Sequence, residues 1–167
     1  MIRRPYRNTD YAVMEMKMDE NFRAKILALL DQHRIMSIAT LRPDGWPQVT
    51  TVGYVSQGLT LYFLCGLDSQ KAANLARDDR VSLTIDHDTP QIMEITGLSM
   101  AARAQLVTDR EEASKVLRML PLKYPEQASL PIAMPSPEDV RIFRVTPTVI
   151  SVLDYSKGFG HTDIVTC

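Results

Sequence analysis

The stretch from residue 35 to residue 66 constrains the fold most. "IMSIATL" (35–41), "PQVTTVGYV" (47–55) and "LTLYFLC" (59–65) are short runs rich in β-branched and aromatic residues, separated by the turns "RPDG" and "SQG". Runs of this kind joined by such short connections read as consecutive antiparallel strands. In the first turn Pro43 fixes φ and Gly45 tolerates a left-handed backbone. Pro47 has no amide to donate and belongs at a strand start or edge. The segment is predicted to be a meander.

The rest of the chain extends this pattern. Its 167 residues suit one domain with a core of its own. Residues 1–18 read as a polar arm. Asp19 caps a helix whose apolar face is Phe22, Ile26, Leu29 and Leu30. "DSQKAANLARDDR" is a short helix capped by Asp68 or Ser69, with Ala72, Leu75 and Ala76 as its buried stripe. "VSLTI" (81–85) alternates cleanly, and residues 91–107 form a long, bent strand with Gly97 as a bulge or bend. Thr108 and Glu111 match a capping box ahead of Ala113, Val116, Leu117 and Leu120. Prolines 121, 125, 131, 135 and 137 mark a loop-rich connection, and a Thr146–Pro147 turn separates the strands "VRIFRV" and "TVISVLD". The tail "YSKGFGHTDIVTC" reads as irregular. Six or seven strands with marginal helices make a mainly β chain, an antiparallel barrel. The expected division is an arm at 1–18, a barrel domain at 19–153 and a tail at 154–167.

Composition narrows the function classes. A net charge of −1 gives no overall field for nucleic acid or an anionic membrane, and no apolar run is long enough to span a bilayer. "MIRRPYRNTDY" lacks the apolar stretch of a secretory signal, so the expected location is cytoplasmic. Cys65 falls in an apolar strand pattern and reads as an inert buried thiol; Cys167 ends the chain. No metal site is expected. Asp86, His87 and Asp88 are consecutive and read as a solvated turn, His33 ends a helix where it suits the negative end of the dipole, and His161 stands alone. Neither a Gly-x-Ser-x-Gly elbow nor a Walker loop is present, and no catalytic residue is assigned. A bound redox cofactor, bringing its own reactive atoms, fits a chain of this kind.

Two places offer binding chemistry. Lys71 lies in the first turn of the second helix, where the macrodipole is already positive; free amides and the Ser69 hydroxyl at that turn would hold a phosphate. An exposed lysine with a small electrostatic penalty is the other reading. Along "QVTT", alternation places Gln48, Thr50, Val52 and Tyr54 on one face and Val49, Thr51, Gly53 and Val55 on the other. The first set would line a cleft with hydrogen-bonding groups, or the strand is an ordinary surface strand.

The order "MSIATLRPDGWPQVTTVGYV", then "LTLYFLCGLDSQKAANLARDDRVSLTI", resembles the pyridoxamine 5′-phosphate oxidase-like family of flavin-binding proteins, most strongly over residues 34–107. The resemblance implies an antiparallel, Greek-key-like split β-barrel. It also implies a homodimer with FMN bound at the subunit interface, and hydride transfer between the flavin and a small-molecule substrate. It implies that Thr50, Thr51 and Val52 border the flavin, partly through main-chain groups. By the same likeness Ser69, Gln70 and Lys71 hold the phosphate, and Gln91 reaches the flavin from the neighbouring segment. Three departures point away from oxidation of pyridoxamine phosphate itself. Residues 47–52 carry no Lys or Arg, Gln70 stands where the vitamin B6 oxidases have arginine, and their C-terminal Trp- and Arg-containing signature is absent. Relatives of this fold also use the deazaflavin F420 or bind haem, so both stand as alternatives, as does a non-catalytic carrier. Tyr155, Lys157, Phe159 and His161 would close the pocket, or the tail is disordered.

Overall fold

A computed structural model describes residues 18–129 and 134–167. The expected arm, except Met18, lies outside them; Met18 itself packs against the core. Among the described residues eleven α-helices and β-strands follow in order: α1 (Glu20–Gln32), β1 (Ile35–Leu41), β2 (Pro47–Gly53), β3 (Val55–Gln57), β4 (Thr60–Gly66), α2 (Gln70–Arg77), β5 (Arg80–Asp86), β6 (Thr96–Leu106), α3 (Arg110–Lys123), β7 (Val140–Asp154) and β8 (Thr162–Thr166). Among the described residues no helix is long and apolar enough to cross a membrane.

The strands form one antiparallel sheet in the order β2-β1-β5-β6-β7-β4-β3, with β8 added to β7. The turn between β1 and β2 forms as its residues dictate. Gly45 takes φ +84°, its N–H donates to the Arg42 carbonyl at 2.9 Å, and Asp44 accepts from the Trp46 N–H at 3.2 Å. The sheet curls around one core. Inward residues of α1 (Ile26, Leu30), β1 (Ile38), β4 (Phe63), β5 (Ile85), β6 (Leu98) and β7 (Ile150) are all fully buried in a single cluster. A second cluster forms where α3, through Ala113 and Val116, packs on Val55, Tyr62 and Ile142. The architecture is an antiparallel split barrel.

Five expectations about local structure are corrected. Thr146–Pro147 is not a turn: β7 runs fifteen residues, and its register against β6 shifts between Ala101 and Ala102. Ala101 pairs with Val149 and Ala102 with Pro147, so Thr148 is the extra residue of a bulge, its hydroxyl donating to the Ala101 carbonyl at 3.1 Å. The bulge changes the phase of burial from Phe143 and Val145 to Ile150 and Val152. It also lies where the partner on the other edge of β7 changes from β4 to β8. Gly97 is no bend. A Cβ there would meet the Ile85 carbonyl oxygen at 2.8 Å, so this glycine lets β5 and β6 lie close. The tail is not irregular, because β8 pairs with β7 from Val149 to Leu153. Finally, α3 is capped by Asp109, whose Oδ1 accepts from the Glu112 N–H at 2.7 Å, and not by Thr108. Glu112 is held from outside the helix, by both contacts of Arg144 at 3.0 Å and by the Tyr62 hydroxyl. The helix also continues through Pro121 to Lys123.

The C-terminus of α1 has an unforeseen partner. His33 is its cap residue, but burial and the neighbouring His87, stacked 5.2 Å away, lower its pKa and favour the neutral ring. The cation at this helix end is Lys123, whose Nζ donates to the carbonyls of Leu30 at 2.9 Å and Asp31 at 2.7 Å.

Candidate functional site

The site is built where α2 begins beside the β1–β2 hairpin. Ser69 is the N-cap of α2, its Oγ accepting from the Ala72 N–H at 3.2 Å. Ala73 N–H is satisfied by the Ser69 carbonyl at 3.1 Å. Among the described residues no acceptor is found for the amides of Gln70 and Lys71, the orphan donors of a helix start. Lys71 is half-buried and makes no ion pair among the described residues. Two unpaired N–H groups, an ammonium and a positive dipole end therefore share one turn, the arrangement an anion binds.

A buried amide ties this turn to the hairpin. Asn74, fully buried, accepts from Gln70 Nε2 at 3.0 Å and donates through Nδ2 to Thr40 Oγ1 at 3.0 Å and Gln48 Oε1 at 3.2 Å. Thr40 is itself buried and is the register partner of Gln48. On one side of the network lies a cavity of about 480 Å³ bounded by Arg42, Pro43, Asp44, Gln48 and Gln70. Arg42 stands on its rim, paired with Asp44 at 2.7 Å. On the other side Ser69 and Ala72 border a larger groove of about 780 Å³ that reaches Leu106 and Arg141.

Strand β2 is the edge of the sheet, so alternate N–H and C=O groups point away from β1. Its inward residues are Gln48, Thr50 and Val52; Val49, Thr51 and Gly53 face outward and are exposed. The Thr50 hydroxyl is buried without a hydrogen-bond partner. A buried polar atom left alone costs free energy, and such an orphan is accounted for by a missing partner. The outward face is notably apolar at the hairpin: Ile35 is 54% exposed, Val49 64% and Trp46 71%. Beside them a shallow cavity of about 430 Å³ is floored by small residues, Ala39, Ser82 and Ala101, and flanked by Arg80 and Arg103.

The structure thus brings Ser69, Gln70 and Lys71 together, and Asn74 links them to the start of the strand carrying Thr50, Thr51 and Val52. The three strand residues do not share a face, since Thr51 points away from the other two. Gln91 stands apart. It is exposed and lies five residues past the end of β5, whereas α2 precedes the start of that strand. Two expectations about α2 fail: Ala76 is exposed, and the buried position beside Leu75 is the amide of Asn74. Asn74, Thr40 and Gln48 are the residues missed as a set. The only local signal was the four-residue spacing of Gln70 and Asn74, which places both on one helix face. In the tail, Tyr155 and Phe159 pack ring to ring at 5.3 Å, and Asp163 draws in Lys157 at 2.9 Å and His161 at 3.1 Å. Cys65 is half-buried rather than buried.

Comparison with known proteins follows the same line. A family model described as pyridoxamine 5′-phosphate oxidase matches residues 22–154. No curated protein matches the chain. Similar solved structures include a conserved hypothetical protein from Mycobacterium tuberculosis, 23% identical, with a TM-score of 0.65 over 86% of this chain and 89% of that one. They include HutZ, the heme storage protein of Vibrio cholerae, 21% identical, with a TM-score of 0.60 over 74% of this chain and 88% of that one. A third, from Clostridium acetobutylicum, is related to general stress protein 26 and to the pyridoxinephosphate oxidase family. It is 14% identical, with a TM-score of 0.66 over 89% of this chain and 96% of that one. At these identities the likeness speaks for the fold.

Proposed function

The chain belongs to the pyridoxamine 5′-phosphate oxidase family, and from that premise we propose that it is an FMN-dependent oxidoreductase acting as a homodimer on a small molecule. The observation that carries this reading is the start of α2. Its unpaired Gln70 and Lys71 amides, the Lys71 ammonium and the capped first turn are the donor set a phosphomonoester requires. The residues present also suit the rest of the nucleotide. The free edge of β2 offers main-chain donors and acceptors to a flat heterocycle, and the unpartnered Thr50 hydroxyl offers one more bond. Bound there, the flavin would supply the redox chemistry by exchanging a hydride with the substrate, so that no side chain need act as nucleophile.

The chain's own residues position the cofactor and exclude water. With β2 free of Lys and Arg, the phosphate rests on α2, and Arg42 stands across the cavity rim from Gln70 as a second cation. A second copy packed on the outward face would cover Ile35, Trp46 and Val49 and wall the flavin site from solvent. Gln91, at the far end of β5, would approach the ring end of an elongated ligand and not its phosphate. The departures noted in the sequence point to a substrate other than pyridoxamine phosphate.

Likeness to a heme storage protein makes haem the second reading. The visible spectrum of the purified protein, with the released chromophore identified by mass, tests both. FMN absorbance and mass support the proposal. A Soret band supports haem, uptake of F420 by a colourless preparation supports the deazaflavin, and failure to take up FMN overturns the flavin reading.

A further inference from the structure

We infer that Asn74 is a positioning residue that couples the two halves of the nucleotide site, so that the protein distinguishes a phosphorylated flavin from an unphosphorylated one. The inference rests on the proposed binding of FMN and adds to it a residue that touches neither half of the ligand.

The position is unusual for its helix. Burial on α2 falls on two adjacent residues, Asn74 and Leu75, and Asn74 is 0% exposed. An apolar side chain would be the ordinary choice there, since an amide leaves water at a cost unless its hydrogen bonds are replaced. Here three of them are. The carbonyl oxygen accepts from Gln70, in the first turn of α2, and the amide nitrogen divides its two protons between Thr40 of β1 and Gln48 of β2. These bonds are directional where a leucine would be merely greasy. They fix both the rotation of α2 about its axis and its distance from the hairpin.

The consequence concerns ligands that touch both elements. The amides of Gln70 and Lys71 belong to α2, and Gln48 belongs to β2, the strand whose free edge would meet the rest of the ligand. A ligand bridging them gains from having the two sub-sites held at one separation, because binding at the first then delivers the other end to the second. Riboflavin engages only the β2 half, and inorganic phosphate only the α2 half. Neither gains from the coupling.

The test is a set of dissociation constants for FMN, riboflavin and inorganic phosphate, measured on the intact protein stripped of chromophore. Two variants serve: Asn74→Leu, which removes all three bonds, and Thr40→Val, which keeps shape and removes one acceptor. Wild type is expected to prefer FMN over riboflavin. In Asn74→Leu the constant for FMN rises about tenfold, the scale of one positioning hydrogen bond, while those for riboflavin and phosphate hold within about twofold. Thr40→Val shows the same pattern with a smaller change, and it carries the test alone if Asn74→Leu does not fold. A purely structural role would weaken all three ligands together. If the variants keep the wild-type preference for FMN, or lose riboflavin and FMN in equal proportion, the inference is overturned and the FMN reading stands. If wild type itself shows no preference for FMN, both fall.

Discussion

Tyr124, the residue that caps the end of α3, reaches across to the junction of β2 and β3, and its hydroxyl makes three hydrogen-bond contacts among the described residues. It accepts from the Tyr54 N–H at 2.7 Å and lies within hydrogen-bond reach of the carbonyls of Tyr54, at 2.9 Å, and Arg34. Tyr54 N–H has a second acceptor in the Arg34 carbonyl at 3.2 Å, so it is not orphaned when the hydroxyl goes. The loss in Tyr124→Phe is therefore one accepted and one donated bond, about 1–2 kcal/mol. That predicts a fall in melting temperature of roughly 3–6 °C for a chain of this size. Gly53 gives the cross-check. A Cβ built there meets the Tyr124 oxygen at 2.9 Å but the ring carbon behind it at 3.4 Å. Gly53→Ala should thus expel the hydroxyl and cost about as much as Tyr124→Phe, yet cost little in a chain already carrying phenylalanine. Urea unfolding of the two single variants and the double variant measures this directly. The reasoning predicts a double variant about 1 kcal/mol more stable than the sum of the singles. Strict additivity, or a Tyr124→Phe protein as stable as wild type, would refute it.

Three further outcomes follow from the same geometry. Lys71→Ala should weaken FMN binding by about tenfold or more while leaving riboflavin binding unchanged, as read by flavin fluorescence titration. Asp154, held by Lys25 at 2.5 Å and by Ser156, has its pKa lowered to about 2, first by the hydrogen bond from Lys25 and then by that from Ser156. A carboxylate with a depressed folded pKa stabilises the fold above about pH 4, and that contribution is lost as pH falls towards 2. Asp154→Asn should therefore lack up to about 2 kcal/mol of acid-sensitive stability, seen by comparing urea midpoints at pH 5 and pH 2. Val49→Asp, placing a charge on the outward face of the hairpin, should convert the expected dimer to monomer in sedimentation equilibrium; an unchanged mass would locate the interface elsewhere.

The meander was legible because its turns carry their own chemistry. Pro43, Asp44 and Gly45 make a turn under almost any tertiary context, and the alternation from Val81 to Ile85 fixes one face whatever packs on it. The bulge at Thr148 was not legible. A Thr-Pro pair interrupts a strand pattern in either case, and only the opposing register of β6 makes it a bulge and not a turn. The tail failed for a different reason: the β-branched run from Thr162 to Thr166 is short and follows the glycines at 158 and 160, and its pairing with β7, from Val149 to Leu153, is a tertiary contact. At the site, the start of α2 could be read locally through Ser69 and Lys71. The amide network could not, because Asn74 joins residues 34 and 26 positions away. The hydroxyl of Tyr124 and the ammonium of Lys123 meet partners 70 and 93 positions away, and nothing local foretells them.

A crystal structure of the protein with FMN tests the central claim most directly. The account predicts phosphate oxygens within about 3.2 Å of the Gln70 and Lys71 amide nitrogens, with the ring lying along the free edge of β2. A phosphate bound elsewhere, leaving those two amides to solvent, would contradict it.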